Sequence, residues 1–169
     1  SGYAYTGSTP SKLKKRIEEA NSSNAEITDI NITENGNYVI ILGGSGYWTL
    51  GYPDAFLKKL EQYRTGDLRD DNILSACFND RGEWVVITDK HYSYSNETIK
   101  NFILKAEELY EEVYYAYITN YGMIACCKNG VYYKNIPSNL AEALKKLTFK
   151  PKVIKFTDNG LYLITDGES

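Results

Sequence analysis

INITENGNYVIIL, residues 30–42, is the stretch whose reading decides the fold. Its first part alternates: Ile30 and Ile32 are apolar, Asn31 and Thr33 polar, the period of a half-buried strand. Asn35–Gly36 then marks a hairpin turn, because Gly can supply the positive φ such a turn needs. Tyr38–Leu42 is apolar at both parities, so it reads as a strand covered on both faces. The same pattern returns as ACFNDRGEWVVIT at 76–88, AYITNYGMIACC at 116–127 and IKFTDNGLYLIT at 154–165. Ile32, Phe78, Ile118 and Phe156 each stand four residues before the turn Gly and form one predicted core layer.

Outward from each hairpin the pattern continues. A short aromatic run follows: Tyr47–Trp48, Tyr92 with Tyr94, and Tyr132–Tyr133. Helix starts come next, with Pro53 and Pro137 fitting a first turn and Ser95–Asn96 offering an N-cap. Phe56, Leu57 and Leu60, then Ile99, Phe102, Ile103 and Leu109, then Leu140, Leu144 and Leu147 fall at helical spacing. The unit is strand, strand, strand, helix, about 40 residues long. The single domain 1–169 divides into units at about 27–71, 72–112 and 113–151, with a fourth made of 152–169 plus 1–26.

That fourth unit is split. After Leu161–Thr165 the chain ends, and the missing parts stand at its start: Gly2–Tyr3–Ala4–Tyr5 matches Gly46–Tyr47–Trp48–Thr49, and Leu13–Lys14–Lys15–Arg16–Ile17 matches Leu57–Lys58–Lys59–Leu60. Half-units leave apolar surface and free strand edges. The expected fold is therefore α+β, a pseudo-fourfold, propeller-like ring of βββα repeats with about twelve strands and four helices. Gly2–Tyr5 is expected to pair with Leu161–Thr165, and the helix at Ser11–Glu18 to pack on that sheet. An open solenoid would leave the two half-units exposed, whereas head-to-tail swapping between two chains satisfies the same pattern, so monomer and swapped dimer both stay open.

The unit N-G-x-aromatic-V-I, then G-Y-aromatic, then P and an L-x-x-x-L helix, resembles a tandem repeat of uncharacterised bacterial proteins. Its motifs are structural and imply no functional residue. The second copy departs most, with Arg81 for Asn, His91 for Gly and no Pro. In plan alone, the ring is similar to the pentein fold, which has five units.

Composition bounds the function. A net charge of −3 leaves no electrostatic footprint for nucleic acid or an anionic membrane, and neither is expected as a partner. No apolar run approaches the ~18 residues of a membrane span. The chain begins with Ser1 rather than Met, so removal of something upstream is expected; a processed export signal and a trimmed chain look alike, and the compartment stays open. Three cysteines without framework spacing argue against a disulfide scaffold, and the single His cannot complete a typical zinc site. No cofactor and no metal are expected.

Residues shared by all copies serve the fold, so residues off that shared pattern, and polar rings at one position of it, are the candidates for ligand binding. The polar parity of the first strands supplies Asn31, Thr33, Asn79, Tyr117, Thr119, Lys155 and Thr157, which would line either a polar central channel or a solvent face. The second aromatic of each third strand supplies Trp48, Tyr94 and Tyr133, residue types common in binding hot spots. Gly43–Gly44–Ser45–Gly46 is a candidate anion nest, read as a hairpin loop. The tandem Cys126–Cys127 is read as core. The expected function is a non-enzymatic binding module for a protein, peptide or glycan. The alternative is a pentein-like Cys/His hydrolase or amidino-transfer enzyme, for which His91 and Cys77 would be the base and nucleophile.

Overall fold

The computed structural model describes residues 9–23, 25–43 and 46–167. Over these residues the chain is α+β, with four helices and four small antiparallel sheets. Helix α1 (Ser11–Ser22) precedes a sheet of β1 (Ile27–Ile32), β2 (Tyr38–Leu42) and β3 (Tyr47–Leu50). Helix α2 (Asp54–Arg64) leads to β4 (Ile73–Phe78), β5 (Trp84–Thr88) and β6 (Tyr92–Tyr94). Helix α3 (Glu97–Tyr110) leads to β7 (Val113–Ile118), β8 (Met123–Cys127) and β9 (Gly130–Lys134). Helix α4 (Ser138–Lys145) leads to β10 (Val153–Phe156) and β11 (Tyr162–Thr165), a two-stranded sheet among the described residues.

The hairpins explain why these sequences form these sheets. Gly36, Gly82 and Gly160 take φ of +85°, +82° and +100°, which residues with a Cβ rarely adopt. Each donates its N–H to the carbonyl of Thr33, Asn79 or Thr157, three residues back. The third turn differs from the sequence expectation. Thr119 N–H donates directly to the Gly122 carbonyl, and Gly122 has no positive φ. That turn is one residue tighter, so Ile118 pairs with Met123 where Ile32 pairs with Tyr38 and Phe78 with Trp84. Gly122 is needed for space instead: a Cβ there would lie 2.6 Å from the Asn135 carbonyl oxygen and 3.1 Å from the Phe156 ring.

A second shared feature is a β-bulge. The register breaks between Ile27 and Asp29, Ile73 and Ser75, and Val113 and Tyr115, leaving Thr28, Leu74 and Tyr114 as extra residues at one repeat position. Each bulge resets the parity of the strand that follows. Asp29, Ser75 and Tyr115 thereby share a face with Asn31, Cys77 and Tyr117.

The helices wedge between successive sheets. Phe56, Leu60 and Tyr63 of α2 form one cluster with Val39 and Ile41 of β2 and with Phe78, Trp84 and Val86 of the next sheet. The Phe56 ring lies 5.2 Å from Phe78 and 6.0 Å from Trp84. Helix α3 joins β5 to β7 and β8 through Ile99, Phe102 and Ile103, and Leu140 of α4 shares that cluster with Ile154 and Phe156. Asn96 caps α3, its side chain accepting from Ile99 N–H at 2.9 Å. Pro53 and Pro137 stand one residue before the first helical residue.

Three expectations need correction or bounding. Helix α1, expected on the sheet of β10 and β11, buries Leu13 with Tyr38 and Ile40 of β2, the sheet that follows it. Like the other helices it abuts the next sheet: Pro10 lies against the Gly36 turn as Asn139 of α4 lies against the Gly160 turn. Phe78, Ile118 and Phe156 are buried, but Ile32 is 41% exposed. Strands β2, β5 and β8 are buried on both faces, whereas Leu161 and Leu163 are 68% and 55% exposed. The reason is that no third strand or helix covers β11 among the described residues; the expected pairing of Gly2–Tyr5 lies outside them.

Candidate functional site

The polar parity of the first strands is buried at Asn31, Cys77, Asn79 and Tyr117, half-buried at Thr33, Thr119 and Lys155, and exposed at Thr157. It meets at a shared centre. Lys155 of β10 extends its ammonium to Asp29 Oδ1 at 3.0 Å, the Ile30 carbonyl at 2.6 Å and Asn31 Oδ1 at 2.6 Å, all on β1. Tyr115 and Tyr117 of β7 put their rings 5.8 Å and 5.4 Å from Lys155 Nζ, close enough for cation–π attraction. Asn31 Nδ2 donates to Asp29 Oδ2 at 2.9 Å and to the Ala76 carbonyl of β4 at 2.5 Å. All four sheets thus contribute to one hub, and burial holds the Tyr115 and Tyr117 phenols well above their usual range.

An ammonium has three N–H donors, and three close acceptors already take them. Lys155 is therefore a cross-sheet tie, and Asp29 offsets its charge.

Above the hub, at the turn ends of the first strands, is a cavity of about 870 Å³. Its walls are apolar: Ile30, Ile32, Phe78, Ile118, Phe156 and Leu161. Its rim carries Thr33, Asn79, Thr119 and Thr157 at the one equivalent position of all four units. Ile32, Tyr121 and Leu161, three of the exposed large apolar residues, open onto it. The turns are laced together around it. Asp80 accepts from Asn35 N–H at 3.0 Å, Asn120 Oδ1 accepts from Asp80 N–H at 3.0 Å, and Thr119 Oγ1 donates to Asp158 at 2.5 Å. Asn120 Nδ2 reaches back to Glu34 at 3.3 Å.

Six of the seven strand-one candidates, Thr33, Asn79, Tyr117, Thr119, Lys155 and Thr157, line this cavity, and Asn31 lies buried in the hub. The aromatic candidates are elsewhere. Trp48 is half-buried beside α1, under Arg16 at 5.1 Å. Tyr94 packs against the α3 core, and Tyr133 lines a separate groove of about 460 Å³ with Leu144, Phe149 and Lys150. The structure does not bring these three together.

His91 and Cys77 are not partnered. His91 Nδ1 lies 2.6 Å from Asp71 Oδ2, which also accepts from Thr88 Oγ1 at 2.7 Å. Cys77 donates its S–H to the Ile118 carbonyl at 3.4 Å, and burial pushes its thiol up to about 12. Burial likewise moves Cys126 to about 12 and Cys127 to about 11, so these thiols stay protonated near neutral pH. In the Gly43–Gly46 loop, Gly43 N–H donates to the Glu26 carbonyl and Leu42 N–H to the Gly46 carbonyl; residues 44 and 45 lie outside the described set. Among the described residues no helix is long and apolar enough to cross a membrane, and no cluster of three metal-ligating side chains occurs.

Sequence reading missed Asp29, Glu34, Tyr121 and Asp158. Asp29 carried a signal: a charge inside the strand pattern I-T-D-I-N-I, whose partner Lys155 had been singled out. The turn residues carried none, because polar side chains at hairpin tips are ordinary.

No protein-family model, curated protein or solved structure matches this chain.

Proposed function

We propose that this chain is a non-enzymatic binding module that takes its ligand in the cavity at the turn ends of the four first strands. The observation that carries the reading is the lining: an apolar bowl with a Thr/Asn rim drawn from one repeat position in all four units. Pockets of a few hundred cubic ångströms with apolar walls and a few convergent polar groups are the usual form of ligand sites. A side chain of a protein or peptide, or a sugar ring, fits such a bowl in size.

The reading includes a ring. The Lys155 tie from β10 to β1 and the position of α1 before its sheet both suit a closed, propeller-like, pseudo-fourfold array. In that array residues 2–5 add the third strand to β11, and the resemblance to bacterial tandem repeats extends to this plan. No observation favours the Cys/His enzyme, since His91 is engaged by Asp71 and Cys77 is enclosed.

A fragment screen read by ligand-observed NMR tests the binding reading. Apolar fragments should bind the native protein and lose binding in Ile32→Trp, whose indole would fill the mouth. An absence of bound fragments, or equal binding to both proteins, would overturn it.

A further inference from the structure

Resting on that reading of the cavity, we infer that its ligand is an organic cation, a protonated or quaternary amine carried on an apolar body. The charge distribution carries the inference. The one cation in the cavity lining among the described residues, Lys155, spends its three donors on Asp29, Ile30 and Asn31 at 2.6–3.0 Å. An anionic ligand would have to break one of these bonds, and Asp29 already compensates the charge that would attract it. The lining above is different. Glu34 and Asp158 line the cavity from two different turns, both exposed, and neither is ion-paired among the described residues. Their partners are neutral: Asn120 Nδ2 at 3.3 Å for Glu34 and Thr119 Oγ1 at 2.5 Å for Asp158. Arg81, on a neighbouring turn, is engaged by the Asn120 carbonyl at 3.0 Å and does not line the cavity.

The lining is thus acidic and unneutralised at the mouth, apolar in the wall and internally compensated at the floor. A ligand complementary to all three has a cationic head held at the rim and a hydrocarbon or aromatic body that descends over Ile30, Ile118 and Phe156. The Tyr121 ring, also exposed in the lining, adds an aromatic face toward which a desolvated ammonium is drawn. Charge complementarity of this sort selects among ligands of one shape.

The test uses three matched probes on the full chain: phenethylammonium, phenethyl alcohol and phenylpropionate. Binding is measured by NMR titration at low and at high salt. The ammonium should bind roughly tenfold more tightly than the alcohol, with the carboxylate weakest, and added salt should shrink the gap. In the double variant Glu34→Gln/Asp158→Asn the ammonium and the alcohol should bind alike, with alcohol affinity unchanged. Binding of the alcohol without preference for the ammonium, or a preference that survives the double variant, overturns the cation assignment and leaves the cavity reading standing. Failure of all three probes overturns both.

Discussion

At the residue scale, one side chain carries most of the tertiary logic. Lys155 sits at a repeat position occupied elsewhere by Asn31, Cys77 and Tyr117, and of these four only Lys brings a cation to the carboxylate of Asp29. The Asp29 side chain is almost fully enclosed and its ion-pair partner is that cation. Removing one partner of such a pair costs more than the pair contributes, because the other charge is left in a poorly solvated site. Lys155→Met should therefore destabilise the protein by about 3 kcal/mol, while adding Asp29→Asn should restore much of the loss. Urea unfolding of the two single variants and the double variant measures this. Additive losses would mean that the two residues act independently.

At the element scale, the four hairpins look alike in sequence and are not alike in structure. Gly82 needs its positive φ and has nothing within 4 Å of a built Cβ, whereas Gly122 has ordinary φ and no room. Gly82→Ala should cost about 1 kcal/mol through backbone strain, and Gly82→Asn should cost less because Asn tolerates the left-handed region. Gly122→Ala should cost more than Gly82→Ala, and Gly122→Asn should be no better. Thermal melts of the four variants distinguish conformational from steric demand. The alternation of Ile30, Ile32, Ala76 and Phe78, and the double-sided apolarity of β2 and β5, were enough to place the strands, although in β1 it is the polar Asp29 and Asn31 that are buried and Ile32 that is exposed. The shared bulges and the tighter third turn were hidden. An extra or missing residue leaves the apolar pattern of the next few residues nearly unchanged and shows itself only in pairing.

At the scale of the whole molecule, the proposed ring assigns a third strand to the sheet of β10 and β11. Transferring the β2–β3 register to β11 sets Tyr3 opposite Thr165, Ala4 opposite Ile164 and Tyr5 opposite Leu163 in the proposed ring. Removal of α1 would be uninformative, since Leu13 already packs on β2. Deleting residues 1–8 alone isolates the strand. If the ring is right, the lost cover of Leu163 and its edge should cost about 2 kcal/mol and lower the melting temperature by roughly 4–8 °C. An unchanged melting temperature would sink the ring. Sedimentation of the parent protein separates closure within a chain from exchange between chains, since only a swapped dimer would dissociate on that deletion.

The sequence by itself determined the repeated unit, the order and type of its elements, and the polar position on each first strand, because these depend on local periodicity and turn chemistry. It also supplied Thr33, Asn79, Thr119 and Thr157 as one set. The tertiary structure alone decided that this set lines one cavity together with Ile30, Ile118 and Phe156. The outcome turned on a single long side chain reaching across sheets more than a hundred residues apart in sequence, Lys155 to Asp29, and on the exposed carboxylates of Glu34 and Asp158 meeting at one mouth. Periodicity reports which residues of an element share a face. It carries no information about which buried faces meet, and that meeting is where a site with its own charge arises.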